Sequence, residues 1–389
     1  MKGKSIPRIC VLIFIIIFTM IFIVMGTNLL ITGNIAGVRR SLKIGLIDSS
    51  NYFDIDYSFL NQITRKGLER ASGEIFSPYS INIIEKADLN MSSVVSNFTD
   101  EGIKIVFVVN GIDVKKLMNV RNDIVIFSPS GSFAFSETGN NTFFFRDIFM
   151  TPSLVLSDYC TNELGLKNIG VVYMSINTSR YKGVDENFDN STEMVEGIIK
   201  KKGNVSFFYD YKPDNAARKQ TLLSIINNTN RLDGIIFIGY GATESEFIPL
   251  IKDIRNTREN LTICSIFIGT AENYNGYTRI PNEIEGIYFV AEHGKRFVSD
   301  IYLSYSYTAM EIIKNVLGTC KEDNLTCIKE ELHRKIFDMP SGRMRFTRKG
   351  ILIAPYYIYL VDNGMGVNKK GYTLNDIDNI INSYNLSIE

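Results

Sequence analysis

Short apolar runs alternate with amphipathic stretches along most of the chain. The runs are rich in Ile, Val, Phe and Tyr, and they predict strands buried on both faces at 43–47, 79–84, 104–109, 123–127, 169–173, 205–209, 234–238 and 262–268. Helical periodicity between them predicts helices at 57–71, 152–164, 184–200, 215–226 and 244–255. A later helix shows one apolar face, formed by Ile301, Tyr305, Ala309, Ile312 and Val316. This alternation is typical of parallel sheets covered on both sides, so we predict an α/β fold.

The first forty residues carry a different pattern, a long uninterrupted apolar segment. Residues 9–25 are apolar except for Thr19, and the run resumes at 29–31. About 23 helical residues reach roughly 34 Å, which spans a bilayer core of about 30 Å. Basic residues precede the run at Lys2, Lys4 and Arg8, which indicates a cytoplasmic N-terminus. We therefore expect residues 1–40 to form a single transmembrane helix, with the globular part extracytoplasmic; a cleaved signal peptide is the alternative.

The remainder of the 389-residue chain exceeds what one hydrophobic core usually organises. We predict two Rossmann-like lobes with parallel sheets. The boundary is expected near 142–151, where an aromatic run ends and a helix begins around Pro152, a favourable residue for a first turn. The first lobe is predicted to comprise 41–147, with about 292–345 returning to it. The second is predicted to comprise 148–291, with about 346–389 returning to it.

The charge balance and the His and Cys content argue against several classes of function. The chain has 42 basic and 42 acidic side chains, a balance that argues against nucleic acid as a partner. It has 2 His and 5 Cys without a CxxC or HExxH pattern, so we expect no metal and no cofactor. Cys320 and Cys327 bracket a short polar stretch, and they either form a disulfide or remain two thiols. Cys160 and Cys264 are interpreted as core thiols unless they are paired.

Several segments, taken in order, point to a known architecture. They are 43–47 (KIGLI), 126–132 (IFSPSGS), 144–146 (FFR), 167–173 (KNIGVVY), 180–183 (RYKG), 233–237 (DGIIF), 249–255 (PLIKDIR), 284–287 (IEGI) and 341–346 (SGRMRF), followed by Gly350. Together they resemble the type I periplasmic binding-protein fold, in particular the branched-chain amino-acid and amide-binding branch that serves ABC importers and receptor ectodomains. The resemblance covers residues 41 to about 365.

The resemblance implies a ligand-binding cleft between two closing lobes. A small zwitterion there needs hydroxyl and backbone N–H donors for its carboxylate, a carboxylate for its ammonium, and aromatic walls. By resemblance, the carboxylate contacts are Gly131 and Ser132 with Ser130, the ammonium partner is Glu272, and the aromatic residues are Tyr181, Tyr240 and Tyr52. The alternatives are an ordinary polar turn at 128–132, packing roles for the tyrosines and a solvated glutamate.

Two departures from the family pattern bear on the ligand. The loop at 110–114 lacks the serines that help relatives to bind the ligand carboxylate, and the loop at 48–52 lacks the usual Gly-Pro. We therefore predict a membrane-anchored solute-binding protein of an ABC-type importer, with an amino acid or amide as ligand and a permease or a membrane signalling protein as partner. A receptor or sensor ectodomain, or an interaction module with a degenerate cleft, is the alternative.

An enzyme is not expected from this sequence. The turn at 239–244 (GYGATE) follows a predicted strand and opens a predicted helix, as a dinucleotide-binding turn does, but Glu244 occupies the third glycine position. Its negative charge would lie beside the pyrophosphate. The chain also has no GxSxG motif and no P-loop.

Overall fold

A computed structural model describes residues 41–47, 58–76, 80–86, 91–109, 114, 117, 123–131, 140–147, 150–174, 185–212, 215–239, 244–266, 282–292 and 301–386. The ranges Leu42–Phe76 and Ile81–Glu389 belong to one compact unit. The predicted membrane segment in residues 1–40 lies outside the described residues. Within them, no helix has both the length and the apolarity needed to cross a bilayer.

The first half of the chain forms a five-stranded sheet with the order β2-β1-β3-β4-β5. Its strands are β1 (Ser41–Ile47), β2 (Ser80–Lys86), β3 (Ile105–Val108), β4 (Val125–Gly131) and β5 (Thr142–Arg146). β1, β3, β4 and β5 pair in parallel. The helices α1 (Ser58–Ile75) and α2 (Met91–Asp100) lie between strands of this sheet in the sequence. We call this the first sheet.

The second sheet has seven strands in the order β15-β14-β10-β9-β8-β6-β7. They are β6 (Asn168–Met174), β7 (Asn204–Tyr211), β8 (Gly234–Gly239), β9 (Thr262–Ser265), β10 (Tyr288–Glu292), β14 (Tyr356–Asp362) and β15 (Met365–Tyr372). β6 to β10 pair in parallel, and β14 and β15 are antiparallel additions. A separate three-stranded sheet contains β11 (Phe337–Met339), β12 (Gly342–Phe346) and β13 (Leu352–Ile353).

The remaining helices follow β5 in the sequence. They are α3 (Met150–Asp158), which continues into a π-helical turn (Tyr159–Glu163), α4 (Asp185–Lys202), α5 (Ala216–Asn228), α6 (Glu244–Thr257), α7 (Ile301–Leu317), α8 (Leu325–Arg334) and α9 (Leu374–Tyr384), with a 3-10 turn at Asn282–Ile284. The strand positions confirm the predicted α/β fold with parallel sheets. The predicted burial of every strand on both faces is wrong for β2 and β7, whose residues are mostly half-buried or exposed. Both are edge strands with a neighbour on one side.

The path of the chain between the sheets is visible in the packing. After β5, α3 packs on α4, β10 and β14 of the second sheet layer. After β10, α7 packs on α1, β4 and β5 of the first. After β13, the chain enters β14 and β15. The chain thus passes between the two sheets three times. The residue bounds of the two lobes stay a prediction.

α7 is more deeply buried than its apolar periodicity indicates. Tyr305, Ala309, Ile312 and Val316 are buried as predicted, but Ser304, Ser306, Tyr307 and Met310 are buried too. The reason is that α7 contacts α1, α8 and the first sheet. The Tyr307 hydroxyl donates a hydrogen bond to Glu74 of α1 at 2.9 Å, which ties these two helices together.

The cysteine alternatives are settled for one pair. Cys320 and Cys327 form a disulfide between the end of α7 and the start of α8, with Cα atoms 5.8 Å apart. Cys160 and Cys264 are fully buried, which fits both core thiols and a buried pair.

Asp233 precedes β8 and accepts hydrogen bonds at the start of β6, the amino edge of the second sheet. Its ionisation should make the stability of the fold depend on pH. Its Oδ2 accepts hydrogen bonds from the backbone N–H groups of Lys167 at 2.9 Å and Asn168 at 2.8 Å, and from the Asn168 amide at 3.3 Å. Partial burial raises the pKa of the Asp233 carboxyl, but the Asn168 and Lys167 donors and the Arg258 charge outweigh this, and the net pKa lies below the ordinary 3.8. Ionised Asp233 therefore stabilises the fold above the unfolded pKa.

We expect Asp233→Ala to lower the free energy of unfolding by about 1 to 2 kcal/mol at pH 7. Because the folded pKa is lowered, this difference from wild type should shrink as the pH falls below the unfolded pKa of about 3.9 and through the folded pKa. Urea unfolding at pH 7, 5 and 3 measures it. Asp338→Ala is the control, since its ion pair with Arg343 is exposed and should change little. A pH-independent Asp233 effect would contradict the assignment.

Candidate functional site: the facing carboxyl edges of the two sheets

Because neighbouring strands pair in parallel, their carboxyl ends lie at the same edge of each sheet. β1, β3, β4 and β5 end at one edge of the first sheet, and β6 to β10 end at one edge of the second. Each sheet has a switch point, between β1 and β3 and between β6 and β8, where the strand order turns to the other side. In open α/β sheets, ligands bind outside the carboxyl ends of strands at such points.

Four residues connect these edges, three through their side chains and Asp147 through its backbone carbonyl group, and we call them the junction cluster: Asp147, Glu292, Tyr305 and Tyr356. The Tyr356 hydroxyl lies 2.8 Å from Glu292 Oε1 and 3.1 Å from the Asp147 carbonyl oxygen. The Tyr305 hydroxyl donates to the second Glu292 oxygen. Glu292 ends β10, and Tyr356 stands directly opposite it at the start of β14. Asp147 directly follows β5 of the first sheet.

The junction cluster therefore joins the carboxyl edges of both sheets. Tyr356 is 1 % exposed. Burial and the charge of Glu292 raise the pKa of the Tyr356 phenol well above its usual range, so the hydroxyl stays protonated and can donate. The described ends of β5 and β10 therefore lie close to each other at this point.

Asp147 also fixes the direction in which the chain enters the second sheet layer. Its carboxylate accepts hydrogen bonds from the backbone N–H groups of Met150 at 2.9 Å and Thr151 at 2.7 Å, and from the Thr151 hydroxyl at 2.5 Å. This is an N-cap arrangement, in which a side-chain oxygen satisfies unpaired donors of the first helical turn. The crossing from β5 to α3 is thus held by one buried carboxylate.

Rigid aromatic packing supports the first sheet beneath its carboxyl edge. Phe127 of β4 has ring-centroid distances of 5.5 Å to Phe107, 5.7 Å to Phe143 and 5.6 Å to Phe145. All four are buried, and Ser128, the next residue of β4, is also buried. The strand that leads into the predicted carboxylate-binding turn is therefore fixed in the core.

The first of the predicted site residues lie at the end of β4, beyond these aromatic contacts. Gly131 is the last residue of β4 and is registered opposite Arg146 of β5, and the backbone of Ser130 is part of the same strand. Ser132, which follows β4 directly, lies outside the described residues. So do Tyr52, Tyr181, Tyr240 and Glu272, which follow β1, β6, β8 and β9 in the sequence. Their roles in binding stay predictions.

The sequence positions of these residues can be related to the strand order. Tyr52, Tyr181 and Tyr240 follow the strands at the two switch points, and Ser132 and Glu272 follow the neighbouring strands β4 and β9. Among the described residues, no group of three His, Cys, Asp or Glu side chains could hold a metal ion.

Sequence reasoning missed the junction cluster. Asp147 carried a signal, because an Asp a few residues before a predicted helix is a typical N-cap. Tyr305 was predicted as a core residue of α7. Glu292 and Tyr356 gave no signal, since their pairing requires β14 to be antiparallel to β10.

Comparisons with known proteins agree with this architecture. No protein-family model and no curated protein matches the chain in sequence. Among solved structures, an ABC transporter substrate-binding protein from Sphaerobacter thermophilus has a TM-score of 0.66 and 11% identity, covering 86% of this chain and 98% of that one. A leucine-, isoleucine-, valine-, threonine- and alanine-binding protein from Brucella ovis, in a closed conformation, has a TM-score of 0.64 and 12% identity, covering 87% and 96%.

A third solved structure extends the range of ligands among the structural neighbours. A solute-binding protein of an ABC transporter from R. palustris, in complex with benzoate, has a TM-score of 0.58 and 14% identity, covering 85% of this chain and 96% of that one. At these identities the likeness concerns the fold. The strand order, the parallel pairing and these matches along most of the chain agree with one another. The chain has the type I periplasmic binding-protein fold.

Proposed function

We propose that the chain is an extracytoplasmic solute-binding protein of an ABC-type importer, anchored by its N-terminal segment. It binds a small polar organic ligand between two closing lobes and presents the closed form to a membrane permease. The proposal treats the protein as a binding protein without catalytic activity. The observation that carries it is the junction cluster, which brings the carboxyl edges of two parallel sheets to one place in a fold shared with solute-binding proteins.

The ligand class follows from chemistry common to the neighbours. Leucine and benzoate both carry a carboxylate, and only the amino acid carries an ammonium group. Ser132 with the backbone at Gly131 would bind a carboxylate, and Glu272 would bind an ammonium. If three or four charge-assisted hydrogen bonds contribute about 1.5 to 3 kcal/mol each, micromolar affinity is within reach after the costs of ordering and closure, at about −8 kcal/mol. We favour an amino acid or an amide as the ligand.

A second function has one observation in its favour. The loop at 110–114 lacks hydroxyl side chains that relatives use for the ligand carboxylate. A receptor or sensor ectodomain, or an interaction module with a degenerate cleft, would tolerate this loss. An interaction module with a degenerate cleft would bind the standard amino acids weakly or not at all, so a ligand screen separates it from a solute-binding protein.

The test is a thermal-shift screen of the full chain in detergent with the standard amino acids, simple amides and benzoate, followed by calorimetry of each hit. A ligand at 100 times its Kd stabilises the folded state by about 2.7 kcal/mol, which gives a measurable shift in Tm. For an amino-acid hit, we expect Ser132→Ala and Glu272→Gln each to weaken binding tenfold or more. Glu272→Gln should leave the affinity for any carboxylate without an ammonium group unchanged.

Glu259→Gln is the matched control for Glu272. Glu259 is exposed and precedes β9, at the edge opposite to the carboxyl ends. Its replacement should change neither affinity nor Tm. Unchanged affinity in both Ser132→Ala and Glu272→Gln would refute the site, and no hit from the screen would favour the second function.

A further inference from the structure

Two cysteines far apart in the sequence meet in the core beneath the second sheet. Cys160 lies in the π-helical turn that follows α3, and Cys264 lies in β9, 104 positions later. Both side chains are 0 % exposed, and their Sγ atoms are 2.6 Å apart. We propose that Cys160 and Cys264 form a disulfide bond in the mature protein, in addition to the Cys320–Cys327 disulfide.

The sulfur–sulfur distance separates this proposal from its alternatives. Non-bonded heavy atoms have their optimal contact at about 3.5 to 4.0 Å, and a disulfide bond is about 2.05 Å long. Two thiolates that share a tetrahedral zinc ion, with Zn–S bonds of about 2.3 Å, lie about 3.8 Å apart. At 2.6 Å, the pair is too close for a bridging metal and much nearer to bonding distance than to an ordinary contact of two thiols.

The surroundings hold the two sulfur atoms in place. Both cysteines belong to one apolar cluster that also contains Ile236, the residue paired with Cys264 across β8 and β9. The rings of Tyr159 and Tyr288, which neighbour the pair in sequence and in register, lie 5.7 Å apart. Among the described residues, each sulfur has the other as its hydrogen-bond partner. A disulfide would replace two weakly satisfied thiols with a bond between elements that already pack together.

The burial of the two cysteines also determines at which stage the disulfide can form. Burial and the neighbouring Cys264 raise the pKa of the Cys160 thiol well above its usual range, so the folded chain holds little of the thiolate that attacks a disulfide. Bond formation therefore belongs to folding, before the π-helical turn closes over β9. Extracytoplasmic compartments supply oxidants for this step, and in this respect the proposal rests on the proposed function.

The chemistry is a two-step exchange with an external disulfide, either a thiol–disulfide oxidoreductase or oxidised glutathione. One cysteine thiolate attacks a sulfur of the oxidant, forms a mixed disulfide and releases one thiol. The second cysteine thiolate attacks the mixed disulfide at the protein sulfur and releases the second thiol. The protein loses two electrons and two protons, and the oxidant gains them as its own disulfide is reduced.

The test is a thiol count on the full chain. The Cys10→Ser variant removes the cysteine of the N-terminal segment and leaves four. The reduced, denatured variant is refolded in detergent with oxidised and reduced glutathione, then denatured without reductant and alkylated. We expect no free thiol, and we expect a peptide map to contain Cys160 cross-linked to Cys264. Two free thiols, with Cys160 and Cys264 recovered as separate alkylated peptides, would overturn the proposal.

A second measurement does not depend on the map. When Cys320 and Cys327 are also replaced by serine, reductant should lower the Tm by about 5 to 10 °C, because a disulfide that closes a loop of about 100 residues constrains the unfolded chain strongly. Adding Cys160→Ala and Cys264→Ala should abolish this response to reductant. Since the protein is refolded in vitro, the result is independent of ligand binding and of export, and its failure is distinguishable from failure of the proposed function.

Discussion

Gly350→Ala should destabilise the protein by about 3 to 4 kcal/mol, the combined cost of a strained backbone and an overpacked contact. Gly350 has φ of +71°, and a Cβ atom there would lie 1.9 Å from the carbonyl oxygen of Thr142 in β5. Its own carbonyl oxygen accepts a hydrogen bond from the Phe144 N–H at 2.7 Å. The turn before β13 thus contacts the backbone of β5 directly. An added methyl group could be accommodated only if the Gly350 backbone and the Thr142 backbone moved apart.

Two other glycines separate the contributions to this effect. Gly102 has φ of +74° but open space around a Cβ, so Gly102→Ala should cost about 1 kcal/mol from the backbone alone. Gly73 lies in α1 with open space and ordinary helical geometry, so Gly73→Ala should stabilise by about 0.5 to 1 kcal/mol. Because the chain has no Trp, urea unfolding followed by far-UV circular dichroism measures all three. Equal effects at Gly350 and Gly102 would show that the contact with Thr142 is unimportant.

The sequence predicted the parallel strands because their residues are apolar in continuous runs. β3 shows the reason, since all four of its residues are buried between neighbouring strands and covering layers. The sequence predicts a boundary between the two lobes near 142–151, although 143–145 belong to β5 and pair with β4. An aromatic run without alternation does not distinguish a buried strand from a linker. The sequence does not predict antiparallel β14 and β15, because β14 mixes buried and half-buried residues and β15 is mostly exposed, and neither matches the strand templates well.

Local patterns also could not show the irregular end of α3. Periodicity predicted one helix over 152–164, and the structure has α3 to Asp158 followed by a π-helical turn. The turn widens the helix by one residue and includes Cys160. Pairing of Cys160 with Cys264 depends on this turn and on a strand about a hundred positions away. No connectivity of that kind can be deduced from cysteine spacing.

For the site, the sequence predicts ligand contacts whose roles stay predictions, and it contains no pattern for the contacts that join the two sheet edges. Candidate ligand contacts follow parallel strands, which the order of apolar runs already implies. The junction cluster instead combines side chains from β10, β14 and α7 with the backbone carbonyl group of Asp147, which follows β5. Those elements are brought together by three crossings of the chain, so no sequence window contains the cluster.

Tyr356→Phe should lower the free energy of unfolding by about 2 kcal/mol, the typical contribution of a hydrogen bond to a charged group. The substitution keeps the ring in the core and removes the hydroxyl that lies 2.8 Å from Glu292 Oε1 and 3.1 Å from the Asp147 carbonyl oxygen. Glu292 then keeps the Tyr305 hydroxyl as a donor but loses the one that links it to the first sheet. Urea unfolding at pH 7 measures the loss.

Tyr359→Phe in the same strand is the matched control. Its ring stacks on Phe289 with centroids 5.4 Å apart, and the described residues give its hydroxyl no hydrogen-bond partner. Its removal should therefore change stability by less than about 0.5 kcal/mol. Because Tyr356 connects the two sheet edges, its substitution should also change the Kd of any ligand that requires lobe closure, whereas Tyr359→Phe should not. Equal stability losses in the two variants would mean that the Tyr356 hydroxyl contributes nothing specific, and that ring packing alone holds the two edges together.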